Sequence, residues 1–178
     1  NAFTYDGKGG NEAGVVPCED FPSTETMQRT ARQIGFSETV FIRPLREGFA
    51  SRFFTPECEV PVCGHATIAA FFLLASQGRI KGSRGRVLTW QDTGDGRLPV
   101  CIDFYGHRAD KVFMQQSCPK SLGTVEGEDL TELHDCLGID RASSGIIGHA
   151  EAVPEIISTG LPDILVPVMT GKALDRLK

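Results

Sequence analysis

The stretch Glu59-Val-Pro-Val-Cys-Gly-His-Ala-Thr-Ile-Ala-Ala-Phe-Phe-Leu-Leu74 decides how this chain is read. Glu59 to Val62 is short and strand-like. Cys63-Gly64-His65 follows as a turn, and a strongly apolar helix runs from near Ala66 to about Ser76. The Cys and the His therefore stand where a buried helix opens. Unpaired backbone N–H groups and the positive end of the helix dipole collect at such a point and suit a carboxylate. Gly64 lets a ligand come close to the backbone. A nucleophile, an imidazole and an anion seat thus fall together. A helix cap beside an inert buried thiol fits the same residues, so both readings stay open here.

Composition narrows the class. The chain has 178 residues, 40% hydrophobic and 23% charged, which is the make-up of a globular protein able to bury a sizeable core. A net charge of -5 argues against nucleic acid as a partner, because no basic stripe exists to neutralise phosphates. The apolar run Ala66–Ala75 is too short to span a bilayer, and no secretory signal is visible. Six Cys are present at scattered spacing without a CxxC pattern, and Cys58 and Cys63 are the one close pair. A reduced, cytoplasmic protein is expected.

Along the chain, Ala2–Tyr5 reads as the end of a strand and Gly14–Pro17 as a short strand. Pro22-Ser23 opens a helix over Thr24–Ile34, with Met27, Ala31 and Ile34 at helical spacing and Gly35 as its stop. Ser37–Ile42 and Phe49–Thr55 are strands. Arg86–Gln91 and Leu98–Phe104 form a hairpin across Gly94-Asp95-Gly96. Lys111–Gln115 is a further strand, and Ser117–Gly127 reads as an irregular connection and a candidate lobe boundary, with an earlier division near Tyr105 as the alternative. Leu130–Leu137 is a short helix, Glu155–Ser158 and Asp163–Val168 are strands, and a last helix begins at Gly171. Strands outnumber helices and hairpins outnumber βαβ units, so the fold class is α+β.

Four stretches together resemble the PhzF-like phenazine-biosynthesis family, which shares the fold of diaminopimelate epimerase and proline racemase. They are Asn1-Ala-Phe-Thr4 with Gly10-Asn-Glu-Ala-Gly-Val-Val16, Ser37-Glu-Thr-Val-Phe-Ile42, Phe53-Phe-Thr-Pro56 with Glu59–Ala69, and Ser158-Thr-Gly-Leu-Pro-Asp-Ile-Leu-Val-Pro167. The third is the most specific. The resemblance implies two similar lobes, each a curved mixed sheet wrapped around a central helix, with the active site in the cleft between them. The helix from Ala66 would be the central helix of the first lobe. Lobe one is placed at residues 1–105 and a partial second lobe at 106–178. The family's second glycine-rich turn is not found, so the second lobe is expected to be incomplete here. Glu12 also stands where the family usually has Pro.

The resemblance also implies chemistry. Glu38, beside Val40-Phe41-Ile42, matches the family's acid/base; apolar neighbours would desolvate it, raise its pKa and let it hold a proton near neutrality. A plain solvated strand Glu is the bland alternative. His65 would orient substrate or relay a proton. Cys63 and the backbone of Gly64, His65 and Ala66 would seat a substrate carboxylate. Asn11, and Ser158, Thr159 and Gly160, would add polar contacts. The implied function is a PhzF-like isomerase that moves a proton on a small, cyclic amino acid or related carboxylate, with no cofactor, no metal and a homodimer as the assembly. Two alternatives remain: a cofactor-independent racemase or epimerase using Cys63, whose thiol pKa the helix start would lower, and a non-catalytic acid-binding or dimerising remnant. Cys101, Cys118 and Cys136 lack the turn that a second racemase thiol would need.

Overall fold

The computed structural model describes residues 1–140, 143–145 and 152–177. The chain divides into two compact units, Asn1–Gln116 and Ser117–Lys178.

The first unit is built around the apolar stretch. Its elements are β1 (Ala13–Pro17), α1 (Thr24–Ile34), β2 (Glu38–Pro44), β3 (Phe49–Phe54), β4 (Glu59–Val60), α2 (Gly64–Ser76), β5 (Arg84–Thr93), β6 (Gly96–Tyr105) and β7 (Arg108–Met114). The strands form one seven-stranded sheet in the order β1-β2-β3-β5-β6-β7, with β4 paired to β3. β1 and β5 run parallel to β2 and β3 respectively, and the other pairs are antiparallel, so the sheet is mixed. Helix α2 touches β1 at one edge, β7 at the other, and β2 and β6 between them. A flat sheet cannot offer both edges to one helix, so this sheet curls around α2. That wrapping explains why α2 carries apolar residues on nearly every side.

Strand parity sets which residues meet the helix. In β2, Val40 and Ile42 face α2 and join Phe53, Ala66, Ala70, Phe71 and Leu74 in the main core. Phe41 points the other way, with Phe54 of β3, into a second core under Met27 and Ala31 of α1. The ring of Phe41 meets that of Phe54 edge-on at 5.7 Å. Helix α1 starts where Ser23 accepts a hydrogen bond from the Thr26 backbone N–H and stops at Gly35, which adopts the left-handed conformation with φ 75°.

The second unit contains β8 (Lys120–Thr124), α3 (Gly127–Leu137), β9 (Glu155–Ser158), β10 (Pro162–Leu165) and α4 (Gly171–Leu174). Its three strands form an antiparallel sheet in the order β10-β9-β8.

Three expectations change. The division expected at 105/106 would cut the β6–β7 hairpin; β7 extends the first sheet, so the first unit continues to Gln116. The connection expected over Ser117–Gly127 contains β8, which pairs with β9 through an irregularity between Ser121 and Gly123. Ala2–Tyr5 is no strand: Ala2 bridges Asn11 and Tyr5 bridges Lys8 around the glycine turn.

Candidate active site

Glu38 is the first residue of β2 and shares the face of Val40 and Ile42, so its carboxylate points toward α2. Cys63 precedes the first residue of that helix with extended backbone, φ -145° and ψ 122°. Its carbonyl accepts from the Thr67 backbone N–H at 3.1 Å and from the Thr67 hydroxyl at 2.7 Å, which ties the turn to the helix. The Thr67 hydroxyl also hydrogen-bonds the buried Gln91 side chain of β5.

The fold therefore brings Glu38, Cys63 and His65 together. His65 Nε2 lies 3.3 Å from Glu38 Oε2, with side chains 12% and 23% exposed. His65 Nδ1 lies 3.4 Å from Cys63 Sγ. Nε2 also lies 3.3 Å from the backbone carbonyl of Glu12. The imidazole is thus held between a thiol and a carboxylate and braced by main chain. Glu38 Oε2 is buried yet has no aligned hydrogen bond; the His65 contact satisfies a distance but not a donor direction. A buried carboxylate oxygen in that state is costly unless something else meets it.

Burial pushes the Cys63 thiol up to about 11; the Ala66 and His65 backbone N–H groups pull the other way, and the Glu38 charge adds to the rise. This corrects the expectation that the helix start would lower it: desolvation among core residues outweighs the helix end. At neutral pH Cys63 is a thiol, a proton donor rather than a base.

Gly64 and Ala66 lie in the first turn of α2, where backbone N–H groups are not used within the helix. Gly64 does not adopt a positive φ, and a side-chain carbon there would meet nothing closer than Gln116 Nε2 at 3.6 Å. Its bareness is therefore not required by the fold. Asn11 is exposed, and its backbone exchanges two hydrogen bonds of 2.9 Å with Ala2. It reaches the site only through its neighbour Glu12, whose carbonyl no side-chain motif could reveal. Ser158, Thr159 and Gly160 belong to the second unit. Ser158 ends β9, and its hydroxyl accepts from the Gly160 backbone N–H at 3.3 Å. A cavity of about 830 Å³ in the first unit follows the flank of α2 along Ile68, Phe72, Val15 and Val112 and includes none of the trio. A smaller one, about 370 Å³, touches Gly64 beside Phe3 and Gln116.

A curled mixed sheet around a helix, with a carboxylate, a thiol and an imidazole at the helix start, defines the epimerase-like class of fold. The phenazine biosynthesis-like family model (PhzC-PhzF) matches residues 1–178, and the chain belongs to that family. It is 34% identical to an uncharacterized isomerase of Clostridium acetobutylicum, over 100% of this chain and 57% of that protein. Another uncharacterized isomerase, from Salmonella typhimurium, is 38% identical over 99% of this chain and 57% of its own length. The chain thus spans a little over half the length of these relatives. Among solved structures, a PhzF-family phenazine biosynthesis protein of Bacillus anthracis superposes with a TM-score of 0.80 at 28% identity, covering 99% of this chain and 56% of that one. A probable proline racemase of Agrobacterium radiobacter shares the fold at a TM-score of 0.58 and 14% identity, over 81% of this chain and 40% of that one. Among the described residues no helix is long and apolar enough to cross a membrane.

Proposed function

We propose that this chain carries the acid/base corner of a PhzF-like isomerase that moves a proton on a small, cyclic amino acid or related carboxylate. The buried Glu38 oxygen that lacks an aligned hydrogen bond, beside His65 at the open end of α2, carries this reading. Its class is supported by relatives named uncharacterized isomerases and by the family match.

In this scheme the substrate carboxylate accepts hydrogen bonds from the first backbone N–H groups of α2, at Gly64, His65 and Ala66. Glu38 accepts a proton from a substrate carbon. The electron pair of that C–H bond forms a new double bond, and the neighbouring double bond moves one position along. Glu38 then returns the proton to the far carbon, so nothing is consumed. His65 orients the carboxylate of Glu38 and relays charge between it and the substrate. The scheme uses no organic cofactor. Roles for Asn11, Ser158, Thr159 and Gly160 as substrate contacts, and a homodimer as the working assembly, rest on the family likeness alone.

A racemase that uses Cys63 as its base is less well supported, because burial holds the thiol protonated. The test is incubation with cyclic amino acids and related acids in D2O, read by NMR. Exchange of a carbon-bound proton that falls at least about 100-fold in Glu38→Gln supports the proposal. Absence of exchange across the panel, or exchange untouched by Glu38→Gln, overturns it for this chain.

A further inference from the structure

We propose that Glu38, Cys63 and His65 form a binding site for one thiophilic divalent cation of the zinc type. One oxygen, one sulfur and one nitrogen donor from these residues all lie within 4.8 Å of one another. The contacts along the cluster are 3.4 Å from thiol to imidazole and 3.3 Å from imidazole to carboxylate. A tetrahedral zinc ion with ligand bonds of about 2.0–2.3 Å sets neighbouring donors about 3.3–3.8 Å apart, so with one ring nitrogen as ligand the trio, whose donors lie within 4.8 Å of one another, must draw together to close on a metal. The ring now offers one nitrogen to each neighbour, and a bound cation would take one of the two.

The donor chemistry selects the ion. A thiolate with an imidazole favours zinc or cobalt, and disfavours magnesium and calcium, which take oxygen ligands. Two further features point the same way. Glu38 Oε2 is buried without an aligned hydrogen bond, so a cation would meet an oxygen that the protein leaves unmatched. The imidazole is also braced from outside the trio by the Glu12 carbonyl, and such a brace commonly orients a ligating His. On binding, Cys63 gives its proton to water and its sulfur lone pair to the metal. The three protein donors leave a fourth position open.

If the proton-transfer reading is right, the same cation is an inhibitor, because a metal-bound Glu38 cannot accept a proton from carbon. That clause rests on the proposed function; the site itself does not.

The test is titration of reduced, metal-free protein with Co²⁺ alone, followed by absorbance. The proposal expects one equivalent bound, with four-coordinate visible bands and a sulfur-to-cobalt charge-transfer band. That band should vanish in Cys63→Ser and persist in Cys58→Ser. Affinity should fall at least tenfold in Glu38→Gln and in His65→Ala, with each variant's fold checked by circular dichroism. Lack of the charge-transfer band, its survival in Cys63→Ser, or full affinity in both Glu38→Gln and His65→Ala overturns the site. If Cys63→Ser does not fold, the two other variants decide. Excess Zn²⁺ should suppress proton exchange at least tenfold, reversibly with chelator. Binding without suppression overturns the inhibitory clause and leaves the metal site standing.

Discussion

The two units are built on opposite terms. In the first, Ala66, Ala70 and Phe71 are 0% exposed and Leu74 is 1%, and β2 is buried on both faces between α1 and α2. In the second, every residue of β8 and β10 is exposed. Among its described residues, Val125, Leu130, Ile139 and Ala173 are buried but keep 8–9% exposure. Leu122, Ile164, Leu165 and Leu174 stand 49–57% exposed. A sheet of three short strands with uncovered apolar residues has little to hold it. Within this chain the first unit therefore buries most of the apolar core, and it fixes the geometry of the Glu38–Cys63–His65 corner, whose residues are anchored in its core elements.

Mutation can break this comparison. Phe71→Ala should cost about 3–5 kcal/mol, because a fully buried ring leaves a cavity between α2 and the sheet. Leu130→Ala in the second unit should cost about 2 kcal/mol, at the low end for such a truncation, since Leu130 keeps 9% exposure where Phe71 keeps none. Denaturant unfolding of both variants measures the gap; equal costs would refute the asymmetry. Thr67→Val comes next, at about 1–3 kcal/mol, since it strands the buried Gln91 side chain that otherwise links β5 to α2. Gln91→Leu on top of it should recover part of that loss.

A smaller effect appears with pH. The Cys63 thiol is held at about 11 against an ordinary value of 9.0, chiefly by burial. A group whose folded pKa is raised contributes stability that is complete below its unfolded pKa and is lost as pH rises through the folded one. Metal-free protein should therefore lose up to about 2 kcal/mol between pH 9 and 11, a loss missing from Cys63→Ser. At pH 7.5, iodoacetamide should label the exposed Cys58, Cys118 and Cys136 well before Cys63. Gly64→Ala should change stability by no more than about 1 kcal/mol, in the stabilising direction, because space is free and alanine favours the helix. Carboxylate binding measured by calorimetry should nevertheless weaken if the bare backbone seats the ligand.

What the sequence made legible follows the same divide. Helix α1 is readable to the residue because Ser23 and Gly35 punctuate it and Met27 and Ala31 mark its buried side. The apolar surround of Ala66–Leu74 announces a wrapped helix before any sheet is seen. β8 is not readable: Lys-Ser-Leu-Gly-Thr has no alternation, and its strand form comes from pairing with β9. The lobe boundary slips for a related reason, since only the β6–β7 register ties β7 to the first sheet. At the site, Glu38 and the Cys63–His65 turn are visible as separate motifs. Their meeting depends on strand parity and sheet curl. The raised Cys63 thiol depends on core packing, and the Glu12 carbonyl leaves no trace in side-chain chemistry.

Glu38, and not Cys63, is proposed to move the proton. Exchange rates of a carbon-bound proton in D2O at pH 7.5, compared between Glu38→Gln and Cys63→Ser with both folds verified, test it most directly. The expected result is a loss of at least about 100-fold for Glu38→Gln and a change below about tenfold for Cys63→Ser. The reverse order, with Cys63→Ser inactive and Glu38→Gln near the unmodified rate, would contradict it.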